Sequence, residues 1–219
     1  MLKEWELKYK VDNFPTIIKK STNYINIQEK DVYYDTRDYD FYKNGIFLRI
    51  RNKKLLEIKF SGNDSHTSCR EFTFPLMAVS SKNECFQATL KVIGISSNHN
   101  FSDFSEFSKN ISLKILATIN KKRSVYFLEE GIKLTFDKVN WLGKFIEIEK
   151  NIDDKIYDES LVKKQVLELM KRYIYDQAFN EVHIGYVELF LLKYNSKIYK
   201  IGKYKDLKYE KYLKLGDPL

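Results

Sequence analysis

Glu4, Glu6 and Lys8 form an E-x-E-x-K pattern, with Trp5, Leu7 and Tyr9 between them. Residues two apart share one face of a β-strand. One face would thus carry two carboxylates and an ammonium, and the other three large apolar or aromatic groups. Paired carboxylates can hold a hard divalent cation, and a lysine beside them can hold a phosphate. Taken alone, the pattern is better read as a solvated strand face with cross-strand salt bridges. What decides between the two is what the other strands bring to it.

Later segments repeat the same parity. Arg49 and Arg51 share a face against Leu48 and Ile50, and Glu57 and Lys59 share one against Leu56, Ile58 and Phe60. Lys121 and Arg123 are two apart, Lys133, Thr135 and Asp137 alternate with Leu134 and Phe136, and Glu147 and Glu149 alternate with Ile146 and Ile148. Glu71 adds a further carboxylate. Such agreement across successive strands points to a common polar surface that collects carboxylates, lysines and arginines, a surface suited to a metal ion together with a polyanion.

The elements that must position these side chains are mostly short alternating runs. Strands are predicted over 2–10, 29–36, 46–52, 54–60, 69–74, 111–121, 123–129, 131–139 and 143–150. Asn52-Lys53 is a hairpin turn, and Glu130-Gly131 and Leu142-Gly143 are turn signals. Asn13-Phe14-Pro15 predicts a short helix to about residue 20. Ser81-Lys82-Asn83-Glu84 reads as a capping box before a helix to about 92. Residues 94–110 read as a loop with at most one helical turn. From Asp158 the period becomes helical, with two further Lys- and Tyr-rich helices at the C-terminus. The prediction is an α+β fold: a closed antiparallel eight-stranded β-barrel covered outside by helices. Apolar strand faces would lie under the helices and charged faces would line a polar tunnel. The whole chain, 1–219, is expected to be one domain, with strands within about 1–150 and helices within about 158–214.

Composition narrows the partners. The chain of 219 residues carries a formal net charge of +8, which favours an anionic ligand without choosing one. Two cysteines give no disulfide framework, and three separated histidines give no ligand pair, so a zinc site is not expected. No signal peptide is legible, and no apolar run approaches the ~18 residues of a membrane span. A cytoplasmic protein is expected, without a membrane partner and, in the absence of dimerisation signals, as a monomer.

In order along the chain, Glu4-x-Glu6-x-Lys8, Arg49-x-Arg51, Lys59, Lys121-x-Arg123, Asp137 and Glu147-x-Glu149 resemble the CYTH superfamily, the triphosphate tunnel metalloenzymes. The likeness covers about residues 1–150. VYYDT at 32–36 followed by FLRIR is most similar to its thiamine-triphosphatase branch. The resemblance implies Mg²⁺ or Mn²⁺ held by Glu4, Glu6 and Glu149, with Glu147 and Asp137 beside them. It implies a small-molecule triphosphate gripped by Lys8, Arg49, Arg51, Lys59, Arg123 and Lys133, with Lys121, Tyr33 and Glu147 as catalytic groups. The chain departs from the mammalian thiamine triphosphatases at Leu56, where an aromatic residue there can stack on thiamine. Inorganic tripolyphosphate and thiamine triphosphate therefore stand level as expected substrates. An adenylate cyclase or a nucleoside or RNA triphosphatase on the same scaffold is one alternative. A non-catalytic basic module for polyphosphate or nucleic acid, supported by the net charge and the Lys/Tyr-rich tail, is the less favoured other.

Overall fold

The computed structural model describes residues 2–16, 23–60, 68–95, 100–153, 158–173 and 180–203. Nine strands among them build one antiparallel sheet: β1 (Leu2–Val11), β2 (Tyr24–Asp35), β3 (Ile46–Arg51), β4 (Leu55–Phe60), β5 (Ser68–Pro75), β6 (Lys114–Phe127), β7 (Ile132–Val139), β8 (Gly143–Asp153) and β9 (Asn180–Glu181). The order is β5-β4-β3-β2-β6-β7-β8-β1-β9, and β1 also pairs with β5. The first eight strands thus curl into a ring. Its seam is narrow, consisting of Glu4 opposite Cys69 and Trp5 opposite Ser68. Farther along the same edge of β1, β9 pairs with Tyr9 and Lys10. The eight-stranded barrel expected from the sequence forms, with a short seam and a ninth strand beside it.

Local chemistry sets the boundaries. Residues 111–129 do not break into two strands. From Lys114 to Phe127 no proline or glycine interrupts the run, and β2 and β7 supply hydrogen-bonding partners on both sides. The β3–β4 hairpin turns where expected. Asn52 and Lys53 both take left-handed backbone, and the Asn52 side chain accepts from Lys30 N–H at 2.8 Å, tying the turn to β2. At the β7–β8 turn, φ is +69° at Trp141 and +107° at Gly143, and this sets the register of the strand that carries Glu147 and Glu149.

The helices depart from expectation at their ends. Helix α1 spans Asp40–Lys43 and α2 spans Glu84–Val92, and the N-cap of α2 is Asn83, not Ser81. Asn83 Oδ1 accepts from Phe86 N–H at 3.1 Å, and this satisfies a donor of the first turn. The stretch predicted as loop contains α3 (Phe104–Asn110), capped by Asp103 accepting from Glu106 N–H at 2.9 Å. Residues 14–16 are not helical, and the rest of the helix predicted there lies outside the described residues. Helix α4 (Glu159–Tyr173) matches the predicted long helix, followed by α5 (Tyr186–Tyr194) and α6 (Ser196–Tyr199). The remaining Lys/Tyr-rich tail lies outside the described residues.

Three apolar clusters show which face of the sheet is covered. Trp5, Leu7, Leu134, Phe136, Ile146 and Ile148 pack on the outer face under α4 through Val166 and Tyr173. Leu48, Ile50, Leu56, Ile58 and Phe74 pack on the outer face under α2 and α3 through Phe86, Leu90 and Phe107. The third cluster differs, because Ala117, Ile119, Val139 and Phe145 share the strand parity of the charged residues. They pack against Val182, Ile184, Val187 and Leu191. The segment leading into α5, and α5 itself, therefore cap inward-facing residues at one end of the ring instead of covering its outside.

Candidate active site

The β1 and β8 strands run side by side over ten residue pairs, which sets Glu6 opposite Glu149 and Lys8 opposite Glu147. All four face a cavity of about 560 Å³ inside the ring. Lys8 Nζ lies 2.7 Å from Glu6 Oε1 and 3.2 Å from Glu147 Oε1. On the far wall, Lys59 reaches Glu6 at 3.2 Å. Arg49 donates to Glu57 at 2.6 Å and to the Tyr33 hydroxyl at 3.0 Å. Arg51 donates to both carboxylate oxygens of Asp31, at 2.9 and 3.2 Å. Arg123 donates to Asp137, with Nε 2.7 Å from Oδ1, and to Glu147, while Lys133 stands 3.7 Å from Glu149. Apart from Asp31 and Tyr33, each of these positions was expected in the tunnel from parity, and the registers bring them together. Glu4 lies on β1 opposite Asn151, and its side chain is outside the described part of the molecule.

Three contributors were not singled out from the sequence. Glu29 and Asp31 project inward from β2, nearly fully buried, and Lys121 Nζ lies 3.0 Å from Glu29 and 3.8 Å from Asp31. The signal was present, since Glu29, Asp31 and Tyr33 alternate as the other pairs do. Tyr186, at the start of α5, donates from its hydroxyl to Asp137 Oδ2 at 2.9 Å. Its ring lies 4.8 Å from Lys8 Nζ and 5.2 Å from Lys121 Nζ. No local pattern announces it, because Asp137 is on a strand far away in sequence. Tyr33 and Tyr34 separate as alternation requires: Tyr33 is buried on Arg49, and Tyr34 packs edge-on against Phe104 outside.

The position of Leu56 corrects one expectation. It is fully buried in the outer-face cluster under α2, on the opposite parity to Glu57 and Lys59. A side chain at this position packs away from the lumen, so its identity does not bear on what stacks inside.

Burial and mutual charge set the protonation states. Burial pushes the Glu147 carboxyl up, but Lys8, Arg123 and Lys121 outweigh it and hold Glu147 well below the usual carboxylate range. Asp31 is likewise buried, and Arg49, Arg51 and Lys121 bring it down to about 2. Lys8 is raised, because Glu6 and Glu147 overcome its desolvation. Lys121 goes the other way: burial, then the neighbouring Arg123 charge, lower it despite Asp137, Glu147 and Glu29. Burial raises the Tyr33 phenol, so its hydroxyl stays neutral as a partner for Arg49.

The donor set bears on whether a divalent metal fits. Glu6 and Glu149 are direct cross-strand partners of like charge, an unfavourable arrangement unless cations separate them. Lys59 stands beside Glu6, with Arg123 and Lys133 beside Glu149 at 3.8 and 3.7 Å. Carboxylate oxygens suit a hard cation such as Mg²⁺ or Mn²⁺. Among the described residues no three such groups converge on one point. The carboxylates are turned onto lysines and arginines, which an ion would have to displace. The donor type fits such an ion, and the convergence it needs is absent among the described residues.

The family described as CYTH domain matches residues 2–178. The chain belongs to the CYTH family. A relative from Methanocaldococcus jannaschii, named "Putative adenylate cyclase", is 26% identical over 194 residues, 85% of this CYTH chain and 97% of its own length. A solved protein of Pyrococcus horikoshii superposes with a TM-score of 0.55 at 23% identity, covering 87% of this chain and 99% of that one. Another, from Pyrococcus furiosus, gives 0.50 at 24% identity, covering 85% and 99%. At these identities the two structures speak for the CYTH fold alone. No described helix is long and apolar enough to cross a membrane.

Proposed function

We propose that this protein hydrolyses a triphosphate at its terminal phosphoanhydride, releasing phosphate, with Mg²⁺ or Mn²⁺. One observation carries the reading. Among the described residues, Lys8, Arg49, Arg51, Lys59, Lys121, Arg123 and Lys133 bring seven positive charges to the lumen, against ten carboxylates from Glu6, Glu29, Asp31, Glu57, Glu71, Asp137, Glu147, Glu149, Glu181 and Glu188. A simple anion trap would be strongly positive. A lumen without a positive excess takes up a polyanion only if more positive charge comes with it, which a divalent cation provides.

Glu4, Glu6 and Glu149, with Glu147 and Asp137 nearby, would hold the ion, which when bound polarises a phosphoryl oxygen as a Lewis acid. The chain's own groups do the rest. Lys8, Arg49, Arg51, Lys59, Arg123 and Lys133 exchange carboxylate partners for phosphate oxygens, the arginines in bidentate fashion. They stabilise the charge that builds on the equatorial and leaving oxygens during phosphoryl transfer. Lys121, with its lowered proton affinity, holds or takes the proton of the attacking water. Tyr33 keeps Arg49 aimed into the lumen, and Glu147 and Asp137 keep Arg123 in place. The reading takes the protein as one cytoplasmic domain acting as a monomer, without a nucleic-acid or membrane partner.

The test is phosphate release from tripolyphosphate, thiamine triphosphate and ATP, each with Mg²⁺, Mn²⁺ or chelator. Metal-dependent release that is abolished in a folded Glu149→Ala variant is the expected result. No release from any of the three overturns the reading. The name of the Methanocaldococcus relative favours a second reading, cyclisation of ATP. Cyclic AMP and diphosphate in place of phosphate, with ATP and Mn²⁺, would establish it.

A further inference from the structure

Thr135 stands apart among the groups of the lumen. It lies on β7 between Lys133 and Asp137, on the inward parity, and lines the same cavity as the cations. The residue is 1% exposed, and its Oγ1 has no hydrogen-bond partner among the described residues. Buried hydroxyls elsewhere show the usual outcome. That of Tyr33 accepts from Arg49 at 3.0 Å, that of Tyr186 donates to Asp137 at 2.9 Å, and that of Thr89 in α2 donates to the Cys85 carbonyl at 3.0 Å. A buried hydroxyl without a partner destabilises the state that contains it, because it has given up water without a replacement. Valine, of the same shape, would fill this position without that penalty. The hydroxyl thus contributes nothing to the free protein and gains a use only in a state that brings a partner within reach.

The strand registers identify that partner. Thr135 is directly opposite Glu147 on β8, and directly opposite residues hold their Cβ atoms about 5 Å apart. On its other side Thr135 faces Val125, whose side chain offers no acceptor. In the free protein Glu147 is held from elsewhere: Lys8 Nζ lies 3.2 Å from Oε1, and Arg123 donates to Oε2. These are two of the cations that turn to phosphate oxygens in the proposed reaction. When they do, Glu147, only 4% exposed, loses both donors, and an unpaired buried carboxylate is costly. We propose that Thr135 is a positioning residue, whose hydroxyl donates to Glu147 once Lys8 and Arg123 have turned to the triphosphate and so holds that carboxylate in the loaded site. The proposal rests on the triphosphate reading of the lumen and adds a residue to its machinery. Thr135 is silent in the free protein and engaged in the loaded one, so its contribution is to ligand binding and not to folding.

The test separates the two states with the isosteric variant Thr135→Val. Stability of the free protein is read by urea denaturation, and affinity for inorganic tripolyphosphate with Mg²⁺ by calorimetry on the full chain, beside phosphate release. Thr135→Val should leave the denaturation midpoint unchanged or raise it, and should weaken tripolyphosphate about ten-fold, the scale of a hydrogen bond to a charged group. Thr135→Ser, which keeps the hydroxyl, should restore most of the affinity. In a Glu147→Gln background, where the acceptor is neutral, Thr135→Val should weaken binding by no more than about three-fold. A lowered midpoint in Thr135→Val would mean that the hydroxyl is already bonded in the free protein, and it overturns the proposal. Unchanged affinity in Thr135→Val overturns it too, as does Thr135→Ser binding no better than Thr135→Val. An undiminished ten-fold loss in the Glu147→Gln background would put the hydroxyl on the ligand itself and overturn its action through Glu147. No tripolyphosphate binding by the wild type also overturns the proposal. The expected binding responses without phosphate release uphold Thr135 and overturn only hydrolysis.

Discussion

The two ends of the lumen carry the same kind of residue in different circumstances. Beyond the charged belt on one side lie Ala117, Ile119, Val139 and Phe145, and on the other Ile25, Ile27, Val125 and Phe127. The first set is sealed by the chain itself, through the segment leading to α5 and through α5. The second set is left half exposed at its tips. Inward parity and apolar character are common to both, so neither distinguishes packing from binding. What distinguishes them is how deeply they are buried. At the capped end the apolar surface is already matched and its contribution is stability. At the mouth Ile25 and Phe127 are half exposed beside the charged belt, so less of their surface is committed to packing.

The comparison is sharpest between two phenylalanines. Phe145 is 1% exposed and meets the Tyr186 ring edge-on at 5.0 Å, whereas Phe127 is 42% exposed. Phe145→Ala should cost ~3–5 kcal/mol of unfolding free energy, the range for a large-to-small change in a packed core. Phe127→Ala should cost no more than ~0.5 kcal/mol, as for a surface substitution. Urea denaturation of the two variants reads both values. Similar losses at the two positions would erase the distinction between a sealed and an open end.

Much of the belt was legible in the sequence for a physical reason. In a ring whose strands alternate strictly, parity decides which side a residue faces, so Arg49 and Arg51, or Glu147 and Glu149, are assigned inward without any knowledge of their partners. The strand count and antiparallel order followed from loop lengths. What was not legible depended on contacts distant in sequence. Tyr186 reaches Asp137 because α5 turns back into the ring, and nothing near residue 186 indicates that. Leu56 was given a ligand-facing role by analogy, although its own parity sets it against the outer helices. The cap of α2 was misjudged, and α3 was read as loop, because several Ser, Asn and Asp residues compete in both stretches and only geometry selects among them.

Acid should affect the belt before it affects either apolar end. Asp31, between Arg51, Arg49 and Lys121, has its pKa lowered to about 2 in the folded protein, against an ordinary 3.8. A depressed carboxylate pKa contributes stability that is fully present above the unfolded value and is lost as pH falls through the folded one. Asp31 should therefore contribute about 2 kcal/mol that disappears between about pH 4 and pH 2. Asp31→Asn should flatten that part of the stability curve while leaving the higher-pH part parallel to wild type. Denaturation midpoints collected across this range test it. An unchanged acid slope would mean that the arginines gain as little from Asp31 as exposed ion pairs do.

The smallest effect tests whether the capped end only seals. Tyr186 belongs to both regions: its ring lies with Phe145 in the apolar cap, and its hydroxyl donates to Asp137 in the belt. Tyr186→Phe preserves the ring, and with it the packing and the contacts with Lys8 and Lys121. It removes one hydrogen bond from a carboxylate that still holds Arg123. Stability should fall by about 1.5 kcal/mol, the low end for a hydrogen bond to a charged group. If the cap also orients the belt, kcat for phosphate release should drop several-fold while KM stays near wild type, because Asp137 holds Arg123 where charge develops and the ground-state grip by the other cations is intact. A stability loss with unchanged kcat would confine α5 to sealing and leave the orientation of Arg123 to Asp137 and Glu147 alone.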